Sequence, residues 1–370
     1  MVAQAKVTIL LCGPPLSALG GGPTHMRNLL ASPLQGSYRL VHFESGSRGT
    51  ESPARDEGAA AKLFRLVTSP FVLAYRIVRL RPAVVHLNSV LDNKAFWRDL
   101  SYLFVSKLLF RRVVVQLHGG SLHDLYRGPL LRFLVRVFLS LPDAVVLLAT
   151  SEQRDLDKAG LGRRAVVIPN AVDLSEYRRA DGREHSGRVR RMVFMARLVH
   201  TKGVFEAMEA VRLLHAESDF ADIELLIAGS GPETGAIEKW IERHGMQRSV
   251  RLVGPLYGND KVDFLREADV FVFPTYHREG LPYSIIESIA AGTPVIATRV
   301  AGIPDVIVDR THGILIDAKD PDQIVAAVKE LARSSDDLRT MCRNCRSRAI
   351  KFGLDRLAGQ FGELYERVRL

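Results

Sequence analysis

The stretch that decides the fold is RMVFMARLVHTKGVFEAMEAVRLLHAESDFADIELLIAGSGP, residues 191–232. It begins with a short apolar run, continues through a segment with helical periodicity, and returns to a second apolar run that ends in Gly and Pro. Two apolar strands separated by a helix indicate parallel strands joined by a crossover. Such strands are buried on both faces, so the stretch predicts an α/β sheet with helices on both sides.

The same alternation fills the chain on either side of a polar, glycine-containing segment near residues 174–190. The runs before it are KVTILLCG, YRLVHFES, AVVHLN, RVVVQLHGG, DAVVLLAT and AVVIPNAVD, and those after it include VRLVGPL, ADVFVFPT, PVIATRV and GILIDA. Helices are expected at Val204–Glu217, Glu233–His244 and Ser284–Ala291, and from an Asp320 N-cap to about Arg333. A length of 370 residues suits two domains. We therefore predict two similar α/β domains with a cleft between them, in which ligands bind beyond the carboxyl ends of the strands.

The positive charge lies in the first half of the chain. Residues 1–190 hold 27 Lys and Arg against 15 Asp and Glu, whereas the remainder holds 24 against 26. This asymmetry indicates contact with a polyanion, which is an anionic lipid, a diphosphate-bearing substrate or a nucleic acid. A solvated basic surface is the alternative.

The cysteines and the N-terminus indicate the compartment. Three cysteines are too few for a disulfide framework, and Cys342 and Cys345 form a C-x-x-C pair within a helical pattern with no second pair to complete a zinc site. The apolar run Val7–Leu11 is too short for a signal peptide, and no apolar stretch approaches the ~20 residues of a membrane span. We expect a cytoplasmic protein.

Three stretches of the first half mix apolar and basic residues. The first is KLFRLVTSPFVLAYRIVRLR, Lys62–Arg81, in which we expect Pro70 to break the helix; the others are Asp99–Arg112 and Pro129–Leu141. Such stretches can lie on the inner face of an anionic membrane. They can equally be core helices whose arginine tips are solvated.

Two sets of residues suit the binding of a phosphate. Gly20–Thr24 follows the first strand and precedes a helical stretch, where glycines let backbone N–H groups approach an anion. Arg197 ends a strand, and Lys202 and Gly203 precede a helix start, which together form a diphosphate clamp that needs no metal. A plain turn and two surface cations are the respective alternatives.

The most specific segment is PTYHREGLPYSIIESIAAGTPVIATRVAGIPDVI, residues 274–307. Glu279 lies in a loop after an apolar run, and Glu287 follows eight residues later on the next helix. The loop and the first helical turn can present N–H groups to a ligand, and Glu287 can reach its hydroxyl groups. A surface ion pair with Arg278 and a solvated helix position are the alternatives for the two carboxylates.

Together these elements resemble family-4 glycosyltransferases. The resemblance is carried by GGGPT, by LHGG at 117–120, PNAVD at 169–173, ARL and TKG within 196–203, AGSGP at 228–232, and REGLPYSIIE at 278–287 with its E-x7-E spacing. It implies the GT-B fold, with two Rossmann-like domains facing each other across a cleft. Residues 1–180 would be the acceptor-binding domain, 181–352 the donor-binding domain, and 353–370 a helix that packs back on the N-terminal domain.

The resemblance also implies a role for each site residue. Arg197 and Lys202 would bind the donor diphosphate and stabilise the leaving group, Glu287 would bind the ribose hydroxyls, and Glu279 would contact the donor sugar. Backbone groups of Gly280, Leu281 and Tyr283 would contact sugar and phosphate, and Gly21 and Gly22 would approach the diphosphate from the other domain. His118 would lie near the sugar and the acceptor. The base would lie near Gly229, Gly231 and Gly254.

The resemblance implies a retaining hexosyltransferase of cell-surface polysaccharide synthesis. The donor would be a nucleotide sugar, a UDP-sugar in preference to GDP-mannose, and the acceptor a glycan or a polyprenyl-diphosphate-linked sugar at the membrane. We expect no metal and no cofactor. Two alternatives stay open: a nucleotide-sugar epimerase of related fold, and a basic nucleic-acid-binding protein, although no nucleic-acid-binding motif occurs in the sequence.

Overall fold

A computed structural model describes residues 6–45, 59–91, 93–120, 128–177, 188–277 and 280–370. The chain divides into two compact units. The first unit comprises Met1–Ala171, Glu279–Leu281 and Leu354–Leu370, and the second comprises Val172–Arg278 and Pro282–Gly353. Of the polar segment at 174–190, Leu174–Tyr177 is a short helix and residues 178–187 lie outside the described part.

The first unit contains a parallel six-stranded sheet in the order β2-β1-β3-β4-β5-β6. Its strands are β1 (Val7–Gly13), β2 (Tyr38–Glu44), β3 (Val84–Leu91), β4 (Arg112–Gly120), β5 (Ala144–Leu147) and β6 (Ala165–Val167). Its helices are α1 (Gly21–Ala31), α2 (Leu34–Ser37), α3 (Ala59–Leu80), α4 (Asn93–Leu108), α5 (Pro129–Ser140), α6 (Thr150–Lys158) and, at the end of the chain, α15 (Leu354–Arg369). The predicted alternation of strand and helix is confirmed.

Helices cover both faces of this sheet. Alternate strand residues such as Leu10 and Val85 face a core completed by α3, α4 and α5. Their neighbours Ile9 and Val84 face a second core completed by α1, α2 and α15. The period-2 alternation sends adjacent side chains to opposite faces, and both are apolar because both are covered.

The last helix, α15, belongs to the first unit although it follows the second in sequence. Phe361 and Tyr365 are buried in the core that α15 shares with α1. The Tyr365 hydroxyl lies 2.7 Å from Nδ1 of His86 on β3, and the Tyr38 hydroxyl donates to Oε1 of Glu366 at 2.6 Å. Apolar burial and hydrogen bonds therefore hold the end of the chain against the first sheet.

The expectation that Pro70 breaks its helix is wrong. Helix α3 runs without interruption from Ala59 to Leu80. A proline inside a helix removes one backbone hydrogen bond, and the buried side chains of Leu73 and Ile77 pack into the core on the C-terminal side of it. Tertiary packing offsets the local cost, as it commonly does for helices.

The second unit repeats the architecture with a parallel sheet in the order β12-β11-β10-β7-β8-β9. Its strands are β7 (Arg191–Met195), β8 (Glu224–Ala228), β9 (Val250–Gly254), β10 (Val270–Phe273), β11 (Val295–Thr298) and β12 (Gly313–Ile316). Its helices are α7 (Leu174–Tyr177), α8 (Val204–Leu214), α9 (Thr234–Arg243), α10 (Gly258–Arg266), α11 (Tyr283–Ala291), α12 (Ile303–Val306), α13 (Pro321–Ala332) and α14 (Ser335–Ala349).

The helices predicted in this half are confirmed to within a few residues. Asp320 caps α13, because its carboxylate accepts from the Gln323 N–H at 3.1 Å. Cys342 and Cys345 are buried in α14, and burial raises the pKa of the Cys342 thiol to about 11. Among the residues that the structure describes, no helix combines the length and apolar character needed to cross a bilayer.

We predict that Phe361→Ala destabilises the first unit by about 3–5 kcal/mol, because it leaves a cavity between α15 and the sheet. The chain has two tryptophans. In a Trp240→Phe background the fluorescence of Trp97 reports urea unfolding of the first unit alone. Glu363→Ala, at an exposed position of the same helix, is the control and should change stability by less than about 0.5 kcal/mol. Equal stability of Phe361→Ala and the control would contradict the packing described for α15.

Candidate functional site

In the second unit the strand order reverses between β7 and β10. The chain proceeds from β7 outward through β8 and β9, then returns to add β10, β11 and β12 on the other side. The loops that follow β7 and β10 therefore diverge at their carboxyl ends, where α/β sheets form ligand sites. Here the two loops are tied together, because the Thr201 carbonyl accepts from the N–H groups of Tyr276 (3.0 Å) and His277 (3.2 Å).

Arg197 and Lys202 both lie in the loop after β7. Arg197 is exposed, whereas Lys202 is partly buried with its Nζ 5.8 Å from the centre of the Phe273 ring. Burial, and secondarily the charge of Arg197, lowers the pKa of Lys202 to about 8. The two cations are thus close enough to repel each other, and an anion placed between them would relieve that repulsion.

Gly203 connects this loop to helix α8. Its φ of 82° is left-handed, and it is the N-cap residue of the helix. A Cβ at this position would lie 2.3 Å from the Pro274 carbonyl oxygen, so only glycine fits. Gly203 therefore allows the β7 and β10 loops to touch. It also places the N-terminus of α8 next to the loop that carries the two cations, where the helix dipole favours an anion.

Gly229 and Gly231 follow β8 and face the β7 loop. A Cβ on Gly229 would lie 1.9 Å from the Ala196 carbonyl oxygen, and one on Gly231 would lie 2.2 Å from that of Leu198. Gly229 also donates its N–H to the carbonyl of Gly254 at the end of β9 (2.9 Å). These contacts show that glycine is required here because three strand ends pack closely together. The expected contact of these glycines with the nucleobase of the donor stays a prediction.

Glu287 lies within α11 and is 6% exposed. The solvated helix position considered from the sequence is therefore wrong. Its Oε1 is 2.6 Å from Nζ of Lys261 on α10, an ion pair that the sequence analysis missed. No sequence pattern links α10 to α11. A buried carboxylate requires a partner, however, and this requirement could have indicated that Glu287 pairs with a cation. Tyr283 is the first residue of α11, and Glu279 lies outside the described residues.

Gly280 and Leu281 are grouped with the first unit. The Nδ2 of Asn170, within the PNAVD element, donates to the Leu281 carbonyl at 2.7 Å. A Cβ on Gly280 would lie 3.0 Å from Cδ1 of Leu148 and 3.3 Å from the Gly119 nitrogen. The segment thus passes close to the carboxyl end of β4, next to His118.

The glycines of the first unit open a helix. Gly21 and Gly22 are the first two residues of α1, which follows β1 and has no acidic residue in its first turn. Gly20 precedes them with a φ of 116°. The first turn of the helix can therefore present N–H groups and a positive dipole end to an anion.

His118, near the end of β4, is held by Asn88 at the carboxyl side of β3. Its Nε2 lies 2.9 Å from Asn88 Oδ1, and Asn88 Nδ2 donates to the Cys12 carbonyl at 3.3 Å. Because the amide nitrogen is committed to Cys12, Oδ1 must accept, so Nε2 of His118 carries the proton. Asn88 is a residue that the sequence analysis missed, although it is the last residue of the apolar run AVVHLN.

The surroundings of His118 favour its neutral imidazole. Burial, followed by the nearby rings of His25 and His86, holds its pKa well below the usual 6.5. The His25 ring centre lies 4.7 Å from that of His118, and burial lowers the pKa of His25 to about 4. With Nε2 protonated, Nδ1 of His118 is a hydrogen-bond acceptor available to a hydroxyl group.

The predicted residues thus gather at the carboxyl ends of two sheets. Gly21, Gly22 and His118 lie in the first unit; Arg197, Lys202, Gly229, Gly231, Gly254, Tyr283 and Glu287 lie in the second. Among the described residues, no group of three or more His, Cys, Asp or Glu side chains is arranged to hold a metal ion.

Comparison with known families accounts for nearly the whole chain. Residues 20–176 match the model of glycosyltransferase family 4, and residues 180–352 match that of the group-1 glycosyl transferases. The chain belongs to glycosyltransferase family 4. The two matches meet between residues 176 and 180, close to the division between the two units.

Relatives of this family-4 chain are distant in sequence. D-inositol 3-phosphate glycosyltransferase of Corynebacterium urealyticum is 27% identical over 61% of this chain and 57% of its own length. An uncharacterised glycosyltransferase of Methanocaldococcus jannaschii is 23% identical over 69% of this chain and 68% of its own length. The alignment thus spans a little over half of the first relative.

Solved structures share the fold over the full length. Sucrose-phosphate synthase of Thermosynechococcus elongatus superposes with a TM-score of 0.77 at 18% identity, covering 98% of this chain and 99% of the other. Anabaena HepE in complex with UDP-glucose gives a TM-score of 0.73 at 16% identity, covering 97% and 99%. The architecture of two parallel α/β sheets is that of the GT-B class.

We predict that Asn88→Asp raises the pKa of His118 by about 1–3 units, because a carboxylate facing Nε2 favours the imidazolium. Titration of the ¹⁵N-histidine spectrum measures the change, with His118→Gln identifying the resonance. In the unsubstituted protein the ¹⁵N shifts should report the Nε2–H form. A protonated Nδ1 there would contradict the proposed hydrogen bond with Asn88.

A second prediction concerns Lys202. Below about pH 7 Lys202 is charged, and it loses its proton as the pH rises through about 8. We therefore expect the dissociation constant of a nucleoside diphosphate to rise up to about tenfold per pH unit above pH 8, since the charged form binds. Calorimetry between pH 6.5 and 9.5 tests this, and Lys202→Arg should flatten the dependence because arginine stays charged. A slope retained in Lys202→Arg would assign the titration to another group.

Proposed function

We propose that this chain is a retaining glycosyltransferase that moves a hexose from a nucleotide sugar to a glycan or lipid-linked acceptor. The observation that carries the proposal is the pair Arg197 and Lys202 in the β7 loop, with the N-terminus of α8 beside them. Two cations and a helix dipole at the strand-order reversal suit one ligand group, a diphosphate.

The chemistry of sugar transfer explains why the site needs this charge. Cleavage of the bond between the anomeric carbon and the phosphate oxygen leaves the bonding electron pair, and so one additional negative charge, on the departing diphosphate. Lys202 and Arg197 stabilise that charge as it develops, and because the loop is fixed by Thr201 and Gly203 they need little reorganisation. Removal of one such group costs about 3–4 kcal/mol of transition-state stabilisation.

The remaining residues position the donor and the acceptor. Glu287, fixed by Lys261, keeps Oε2 to accept from the ribose hydroxyls, and Glu279 contacts the donor sugar. The Nδ1 acceptor of His118 binds a hydroxyl of the sugar or the acceptor. Gly21 and Gly22 offer N–H groups to the diphosphate, and Gly280, Leu281 and Tyr283 contribute backbone contacts. We assign no general base to the protein. The acceptor hydroxyl attacks the anomeric carbon from the same face that the diphosphate leaves, so an oxygen of the leaving phosphate can take the proton of that hydroxyl.

A UDP-sugar is the proposed donor, ahead of GDP-mannose. Support comes from the structural neighbour HepE, which was solved with UDP and with UDP-glucose. The base would lie near Gly229, Gly231 and Gly254, where three strand ends meet. No residue described above distinguishes uracil from guanine, so the choice rests on that likeness.

The proposed acceptor is a glycan on a polyprenyl diphosphate, in cell-surface polysaccharide synthesis on the cytoplasmic side of the membrane. The excess of Lys and Arg over Asp and Glu in residues 1–190 suits an anionic acceptor and peripheral contact with an anionic membrane. Support also comes from relatives named for inositol-phosphate acceptors, phosphatidylinositol and colanic acid synthesis.

The test is thermal stabilisation by UDP, GDP, ADP and their sugars. A ligand at 100 times its dissociation constant adds about 2.7 kcal/mol to the free energy of unfolding. We expect one nucleotide class to stabilise the protein, and Lys202→Ala and Glu287→Gln to abolish the shift relative to their own unliganded melting points. Arg248→Ala, an exposed cation of the second unit, is the control. If the nucleotide still stabilises both Lys202→Ala and Glu287→Gln, the donor binds outside the proposed site.

The reaction itself is tested by transfer from the stabilising nucleotide sugar to a lipid-linked acceptor panel. Proton NMR of the product should show the anomeric configuration of the donor. Inversion would contradict the proposed mechanism. Epimerisation of the donor without acceptor would favour the epimerase alternative instead.

A further inference from the structure

Helix α3 has two apolar faces. Leu73 and Ile77 point into the core, whereas a second stripe at helical spacing faces solvent. This stripe consists of Phe64, Val67, Phe71, Tyr75 and Val78, with Phe64 71% and Phe71 74% exposed. A second apolar stripe on a helix whose first stripe is already buried can contact another partner, and the described residues of the first unit leave this stripe exposed.

The two neighbouring helices extend this surface. Helix α4 packs against α3, and Phe96 of α4 contacts Phe138 of α5 with ring centres 5.4 Å apart. All three helices cover the same face of the sheet. Together they expose the outer face, which consists of Phe64, Val67, Phe71, Tyr75, Val78, Trp97, Phe104, Leu108, Leu130 and Phe133. Single exposed apolar side chains are ordinary, but such a concentration on adjacent helices marks an interaction surface.

Basic residues accompany the outer face. Arg76 and Arg79 on α3, and Arg132 and Arg136 on α5, are exposed. Within the described residues of the three helices Asp99 is the single acidic side chain; it is buried and lies 2.7 Å from Nε of Arg98. The surface therefore combines aromatic and aliphatic side chains with exposed arginines.

We propose that the outer face docks on an anionic lipid bilayer, with α3, α4 and α5 lying along its surface. The apolar side chains enter the boundary between headgroups and acyl chains, and the arginines contact anionic headgroups. The inference deepens the proposed function by naming the surface that brings the enzyme to a lipid-linked acceptor.

Charge separates a bilayer from a second copy of the chain. Two-fold self-association would place the same patch against itself, so that Arg76 and Arg79 of one copy would lie close to the same arginines of the other. An anionic bilayer instead supplies negative headgroups for the arginines and, beneath them, acyl chains for the apolar side chains. The outer face is therefore complementary to a lipid surface and not to itself.

The experiment is flotation of the full chain with vesicles of phosphatidylcholine alone or of phosphatidylcholine with about 30% phosphatidylglycerol, which gives the surface negative charge. Two variants are compared with the unsubstituted chain: Phe64→Ser/Phe71→Ser/Val78→Ser and Arg76→Glu/Arg79→Glu. We expect binding to anionic vesicles that high salt weakens, a loss of at least about tenfold in the serine variant, and about 25-fold or more in the glutamate variant, since each arginine contributes about fivefold.

Matched controls come from the second unit. Val308→Ser/Ile350→Ser removes exposed apolar side chains, and Arg243→Glu/Arg248→Glu reverses exposed charges away from the outer face. Both should bind vesicles as the unsubstituted chain does. Equal loss in the controls, equal binding to both vesicle types, or no vesicle binding would overturn the proposal. A dimer that the outer-face variants convert to monomer, without vesicle binding, would assign the surface to a second copy.

Nucleotide stabilisation of the same variants separates this inference from the donor site. The outer-face variants should be stabilised by the nucleotide as the unsubstituted chain is, because α3 contributes nothing to the proposed clamp. Vesicle binding without any nucleotide stabilisation would support the docking surface and overturn the proposed function.

Discussion

The contact between the β7 and β10 loops fixes the part of the protein that matters most for its chemistry. Thr201 offers one carbonyl to two N–H groups of the β10 loop, and Gly203 brings its backbone against Pro274 at a distance that no side chain permits. The strand order reverses at this point, so the loops would otherwise diverge. Their closure holds Arg197 and Lys202 beside the start of α8, where burial, followed by the charge of Arg197, lowers the pKa of Lys202.

Periodicity predicted the architecture well because it follows from burial. Strands covered on both faces must be apolar throughout. The two apolar runs within residues 191–232 show this pattern, and it can be recognised without knowing which helices pack on them. The same reasoning failed at Pro70, where a local rule was overridden by the packing of Leu73 and Ile77. The exposed apolar stripe of α3, which begins at Phe64, shows another limit of prediction from sequence. The sequence shows that these side chains are apolar, but not which of the two apolar faces of the helix the fold leaves uncovered.

Site residues that depend on contacts distant in sequence were beyond sequence reasoning. Arg197, Lys202 and Glu287 could be proposed from motif and position, whereas Lys261 and Asn88 act only through a neighbour on another element. Lys261 neutralises Glu287 from α10, and Asn88 sets the proton of His118 from β3. Both partners satisfy buried polar groups, and such partners are chosen by tertiary proximity. Glu279 lies outside the described residues, so its place beside the donor sugar stays a prediction.

The central claim is that Arg197 and Lys202 recognise the diphosphate of the donor, and it is tested most directly by comparing a nucleoside diphosphate with the monophosphate of the same base. Calorimetry on the unsubstituted chain and on Lys202→Ala gives the affinity ratio of the two ligands for each protein. The account predicts that the preference for the diphosphate falls by about 10- to 100-fold in Lys202→Ala, the loss expected for hydrogen bonds between charged groups, while monophosphate affinity changes little. An unchanged ratio in Lys202→Ala would contradict it, because the second phosphate would then be bound elsewhere.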